Sequence, residues 1–158
     1  MPKKRVLFVC LGNICRSPMA EMIFRDMLRQ AGMTDAVEAD SAATSSEELG
    51  NPVYPPAREE LRRQGVPCLP HRARVLRRED YAAFDLLIGM ESRNLRAMER
   101  ICGGDPQGRM HRLMDYTARP GDVADPWYTG DFSIAYRDIR EGCEGLLRSL
   151  REGLRREG

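Results

Sequence analysis

Cys10 and Arg16 stand six positions apart in Cys10-Leu-Gly-Asn-Ile-Cys-Arg16, and together they are the parts of a phosphoryl-transfer site. A cysteine thiolate is a strong nucleophile. A guanidinium takes two phosphate oxygens at once through its planar fork. Gly12 and Asn13 are the residue types that accept left-handed backbone, which a tight cradle needs. Val6 to Val9 form an apolar run too short for a helix, and it reads as a buried strand. Ser17-Pro18 then predicts a helix N-cap followed by proline at the first helical position. A loop running from a strand into a helix N-terminus turns several backbone N–H groups into one concavity, and the helix dipole adds positive potential. Donors that hold a phosphate dianion also hold a thiolate at the base of the cup. A cysteine ending a strand and a surface arginine are each commonplace alone. The agreement of strand, loop, Arg16, Ser17 and Pro18 favours a catalytic cup built from Leu11, Gly12, Asn13, Ile14, Cys15 and Ser17 between its two reactive ends.

Attack by Cys10 on phosphorus would give a phosphocysteine and release an alcohol. A phenol has a pKa of about 10, so protonating a departing phenolate helps it leave. That acid must come from elsewhere in the chain. The candidate is Asp125 in Gly121-Asp-Val-Ala-Asp-Pro-Trp-Tyr128. The residues alone leave two readings, a carboxylate carried to a ligand by a loop or an Asp-Pro pair that starts a turn, and by themselves they favour the turn. Trp127 and Tyr128 beside it suit a flat substrate ring.

The elements that must position these groups follow from pattern. The length of 158 residues predicts a single domain, residues 1–158, with enough core to need no staple. A net charge of +1 gives no nucleic-acid or membrane footprint, and no stretch is long and apolar enough for a membrane span. Five cysteines at irregular spacing argue for a reducing compartment, hence a cytoplasmic protein. Their spacing with the two histidines makes no zinc pattern, so neither metal nor cofactor is expected.

Apolar residues at Met19, Met22, Ile23, Met27 and Leu28 predict a helix stopped by Gly32. Val37–Ala42 predicts a second strand, 44–56 a loop, and 56–64 a short charged helix. Residues 77–83 predict a helical turn and 84–90 a third strand. Ser92 is expected to cap a helix with Leu95, Met98, Ile101 and Cys102 on one face. Residues 109–114 predict the last strand, 115–132 a long loop, and the tail from Ser133 an amphipathic helix. Alternating strands and helices imply an α/β sandwich with a parallel sheet and the phosphate loop at its carboxyl edge, after the first strand.

The stretch Cys10 to Glu21 resembles the motif of the low-molecular-weight protein tyrosine phosphatases. Asp40-Ser-Ala-Ala-Thr44, Gly50-Asn-Pro52, His71-Arg-Ala-Arg74 and Asp125-Pro126 extend the resemblance over nearly the whole chain. It implies a three-layer fold whose four-stranded parallel sheet has the order 2-1-3-4, flanked by helices. It implies phosphotyrosine hydrolysis, with Asp125 and not Asp122 as general acid and then base. It places Asn13, Ser17 and His71 in a network that holds the loop, with Glu21 in support, and gives the Ser17 hydroxyl a hydrogen bond to the thiolate. It also implies that Cys15 can form a reversible disulfide with Cys10 on oxidation. The substrates implied are phosphotyrosine proteins or small aryl phosphates, with inorganic phosphate as product and competitive inhibitor.

Two departures stand out. Relatives commonly carry an aromatic where this chain has Glu47, beside Glu48, so that wall of the pocket is lost or supplied by Tyr54, and basic flanking residues are favoured. Met90-Glu91 stands where Met-Asp is common. Relatives acting on phosphoarginine resemble a pattern with Thr in place of Ile14, so Ile14 favours phosphotyrosine. The alternatives are a protein-arginine phosphatase and a thiol-dependent arsenate reductase. The latter needs two further redox cysteines close together, and Cys68, Cys102 and Cys143 read as buried and inert.

Overall fold

The computed structural model describes residues 2–157. Four strands, β1 (Lys4–Cys10), β2 (Val37–Ala43), β3 (Leu86–Gly89) and β4 (Met110–Arg112), form one parallel sheet in the order β2-β1-β3-β4. The helices are α1 (Arg16–Gln30), α2 (Pro55–Arg63), α3 (Asp80–Ala83), α4 (Ser92–Cys102), α5 (Pro126–Thr129) and α6 (Phe132–Glu157). This is the three-layer α/β fold expected.

β1 sits in the middle of the sheet, and Val6 through Val9 have no exposed surface. Burial of such side chains contributes roughly 1.5–3 kcal/mol each. Alternation survives inside the run. Val6, Phe8 and Cys10 join the core under α1, α2 and α6, whereas Leu7 and Val9 join Leu87, Met98 and Cys102 under α4. Among the described residues no helix is long and apolar enough to cross a membrane.

Two expected caps fall elsewhere. Helix α1 starts at Arg16 with Cys15 as its N-cap, so Ser17 lies inside the first turn and Pro18 is the third helical residue. Proline still fits there, because first-turn N–H groups have no intrahelical acceptor. Helix α4 is capped by Glu91, not Ser92. The Glu91 carbonyl accepts from the Asn94 N–H at 3.0 Å, and the Asn94 side chain accepts from the Glu91 N–H at 2.8 Å. The 115–132 stretch is also more ordered than expected, containing α5 and the end of a 3-10 helix, Leu113–Tyr116.

That 3-10 helix lies against α6 at two glycines. A Cβ on Gly142 would come within 2.4 Å of Leu113 Cγ, and one on Gly145 within 2.0 Å of the Tyr116 carbonyl oxygen. The close approach matters because the chain leaving Tyr116 leads to Asp125.

Candidate active site

The loop from Cys10 to Arg16 is held from outside by its carbonyl groups. Those of Cys10, Leu11 and Ile14 accept from the N–H groups of Thr44 (3.0 Å), Ser45 (3.0 Å) and Tyr54 (2.8 Å). The Asn13 carbonyl lies 2.7 Å from His71 Nε2. With its carbonyls engaged outward, the loop keeps N–H groups for the cup, and that of Asn13 points at Cys10 Sγ, 3.3 Å away. Asn13 has φ of 59°, the left-handed conformation anticipated for it.

Its side chain is fully buried and works in both directions. Asn13 Nδ2 donates to Ser17 Oγ at 2.9 Å, and Asn13 Oδ1 accepts from the Arg74 N–H at 3.1 Å. Ser17 Oγ lies 2.9 Å from Cys10 Sγ. Asn13, Ser17 and His71 therefore meet in one network, and the Ser17 hydroxyl is committed to the thiol instead of capping the helix. Glu21 stands one step away. Its carboxylate accepts from Ser41 Oγ at 2.6 Å and pairs with Arg25 at 2.9 Å. Burial raises the Glu21 pKa above the ordinary carboxylate range, partly opposed by Ser41 and Arg25.

Arg16 is buried, and both ends of its fork are engaged. Nη1 donates to the Val123 carbonyl at 3.1 Å, and Nη2 donates to Glu91 Oε1. The sequence marks Glu91 only as a departure from Met-Asp and assigns it no role; the structure places its carboxylate on Arg16.

The segment before Asp125 is pinned at three successive residues. Asp122 accepts from the Ser92 N–H at 2.9 Å, the Val123 N–H donates to the Met90 carbonyl at 2.9 Å, and the Ala124 N–H donates to Asp138 at 3.0 Å. Asp122 is thereby an anchor to α4, while Asp125 reaches the cup. Asp125 Oδ1 accepts from the Trp127 N–H at 2.9 Å, capping α5, and Oδ2 lies 3.7 Å from Arg16 Nη2. Asp125 starts a helical turn and also faces the arginine.

The cup encloses about 220 Å³, with Cys10 and Arg16 opposed by Asp125, Trp127, Glu47 and Arg93 around its mouth. The expected aromatic pocket needs correction in two places. Tyr54 is not a wall of the cup. It packs behind Trp127 with ring centroids 5.0 Å apart, and against Phe132 at 6.1 Å, bracing the exposed Trp127. Tyr128 is 82% exposed and does not line the cup. Leu11, Gly12, Ile14 and Cys15 all line the cup.

Cys15 is buried, and burial together with the neighbouring Cys10 pushes its pKa to about 12, so it stays a thiol at neutral pH. All five cysteines are free. Cys102 and Cys143 are buried as expected, whereas Cys68 is only half-buried, at the rim of a separate cavity with His71 and Arg72. Cys68 and Cys102 pack with opposite faces of the sheet, so they cannot form the close redox pair an arsenate reductase needs. Among the described residues no three His, Cys, Asp or Glu side chains gather in a metal-ligating group.

A cysteine at the base of a phosphate-shaped loop, opposed by an Asp-Pro carboxylate at the carboxyl edge of a parallel sheet, defines a class of thiol-centred α/β protein. The sequence model of the family described as "Low molecular weight phosphotyrosine protein phosphatase" matches residues 5–157. The Bacillus subtilis low molecular weight protein-tyrosine-phosphatase YfkJ is 41% identical over 149 residues, covering 93% of this chain and 96% of that protein. A Rattus norvegicus low molecular weight phosphotyrosine protein phosphatase is 36% identical, covering 91% and 94%. The crystal structure of YfkJ superimposes with a TM-score of 0.93 at 39% identity, over 97% of this chain and 98% of that one. The chain belongs to the low-molecular-weight phosphotyrosine protein phosphatase family.

Proposed function

We propose that this chain is a protein-tyrosine phosphatase working as a single domain in the cytoplasm. The observation that carries the reading is the convergence of Cys10, Arg16 and Asp125 on one phosphate-sized cup. Cys10 Sγ, oriented by Ser17 Oγ at 2.9 Å and the Asn13 N–H at 3.3 Å, attacks phosphorus. The S–P bond forms as the P–O bond to the aryl oxygen breaks. Arg16 and the loop N–H groups hold the equatorial oxygens, where charge is greatest in the transition state. Asp125 gives its proton to the departing phenolate. As a carboxylate it then takes a proton from water, which attacks the phosphocysteine and releases inorganic phosphate. Phosphate, as product, competes with substrate for the same cup.

Among the described residues Trp127 is the aromatic lining the cup, and Glu47, also lining it, stands where relatives commonly carry a second. Glu47 makes no ion pair among the described residues, so its carboxylate is available to a basic residue flanking phosphotyrosine. Ile14 lining the cup supports phosphotyrosine over phosphoarginine.

The test is hydrolysis of phosphotyrosine, phosphoarginine and a small aryl phosphate by wild type, Cys10→Ser and Asp125→Ala. Phosphotyrosine turnover is expected, abolished by Cys10→Ser and cut roughly 10²–10⁴-fold by Asp125→Ala. Preference for phosphoarginine would keep the cup chemistry and overturn the substrate. Phosphate binding with no hydrolysis of any of the three would overturn the reading.

A further inference from the structure

Four charged side chains close a ring of alternating sign at one side of the cup. Arg16 donates to Glu91 Oε1. Glu91 Oε2 accepts from Arg93 Nε at 3.1 Å. Arg93 Nη2 stands 3.7 Å from Asp125 Oδ2, and the same Asp125 oxygen stands 3.7 Å from Arg16 Nη2. Glu91 is nearly buried and is held by the start of α4, so it is the rigid member. Arg93 is two residues on, half-exposed, and its fork spans from Glu91 to Asp125.

We infer that Arg93 is a positioning residue, which orients the general acid and takes no part in bond making. The inference rests on the proposed role of Asp125. Its physical basis is the division of labour between the two carboxylate oxygens. Oδ1 is used by the Trp127 N–H, so Oδ2 is the oxygen directed between the two guanidiniums. Once a phosphate dianion enters, Arg16 turns its charge to the phosphate oxygens. Arg93 is then the cation left to hold Oδ2 at the mouth, and Glu91 prevents Arg93 from following Arg16 into the cup. The sequence shows no motif at Arg93, because its role depends on where the Asp125 segment is pinned.

The experiment measures kcat/KM for aryl phosphates with leaving phenols of increasing pKa. The proteins are wild type, Arg93→Gln, Arg93→Lys, Asp125→Ala and the Arg93→Gln/Asp125→Ala double variant. Protonation matters most for the least acidic phenols. Arg93→Gln is expected to lower kcat/KM about three- to fivefold for those phenols, the scale of a partly exposed ion pair, with little change for the most acidic one. Arg93→Lys is expected to lie between, since it keeps the charge and loses the fork. In the Asp125→Ala background Arg93→Gln is expected to change nothing further.

A loss from Arg93→Gln that is equal for every phenol, or that persists without Asp125, would show direct substrate contact and overturn the inference. No loss from Arg93→Gln, with Asp125→Ala still dependent on the phenol, would overturn it as well. If Asp125→Ala itself shows no dependence on the phenol, the general-acid assignment fails first. Unfolding midpoints of each variant separate these outcomes from loss of fold.

Discussion

Replacing Asn13 by alanine and by glycine separates two contributions to the phosphate loop. Both substitutions remove the hydrogen bonds to Ser17 Oγ at 2.9 Å and from the Arg74 N–H at 3.1 Å. The buried bond to Ser17 and the part-buried bond from Arg74 contribute about 1 kcal/mol each, and leaving the Arg74 N–H unpaired adds roughly 1 kcal/mol, a sum of ~3 kcal/mol with a spread of about 2–4 kcal/mol. Only alanine also meets the backbone at φ of 59° with a Cβ, which costs a further 1–2 kcal/mol or so. Urea unfolding at neutral pH, with equal slopes for the three proteins, reads both quantities from the midpoints. Asn13→Gly is expected to lose about 2–4 kcal/mol, and Asn13→Ala about 1 kcal/mol more than that. Both variants should also lose activity, since Ser17 Oγ is no longer oriented toward Cys10. Equal stability of the two variants, or a more stable alanine form, would refute the strain argument. A loss below about 0.5 kcal/mol in both would refute the network.

Further outcomes follow from neighbouring groups. At neutral pH iodoacetamide should modify Cys10 quickly and spare Cys15, whose burial holds it as a thiol up to about pH 12, and inorganic phosphate should protect Cys10; peptide mapping of the alkylated protein checks both. Glu21 is a carboxyl whose folded pKa is raised by burial above its ordinary 4.5. The native state therefore binds more protons than the unfolded state just above that pH, so this group's contribution to stability falls as pH rises from about 4.5 through the raised value. Glu21→Gln should remove that fall, seen as a flatter dependence of the urea midpoint on pH than wild type. Glu47→Trp should abolish the preference for basic over acidic phosphotyrosine peptides in kcat/KM, and unchanged selectivity would remove Glu47 from substrate recognition.

Much of the site was legible because its determinants are local. The buried run Val6–Val9, the turn residues Gly12 and Asn13, and the start of a helix after them all lie within one short segment, so pattern alone located the cup. The resemblance to the phosphatases brought in His71 and Asp125, which lie far along the chain. What pattern missed depends on tertiary contact. Ser17 has the composition of an N-cap, but a thiol 2.9 Å away uses its hydroxyl. Ser92 has the same composition, yet its hydroxyl meets Asp122 and Arg112, and Glu91 takes the cap. Tyr54 and Tyr128 are the right residue types for a substrate wall. The direction of a side chain leaving a loop or a four-residue helix is not encoded in residue type, and one braces Trp127 while the other faces outward.

The central claim is a covalent phosphoryl group on Cys10. The most direct measurement mixes enzyme in excess with an aryl phosphate, quenches in acid within the first turnover, and maps the digested protein by mass. Phosphate is expected on the peptide carrying Cys10, appearing as the phenol is released and decaying as inorganic phosphate forms, with none in Cys10→Ser. Phenol release by the wild type with no phosphorylated Cys10 peptide at any quench time, or undiminished turnover by Cys10→Ser, would contradict it.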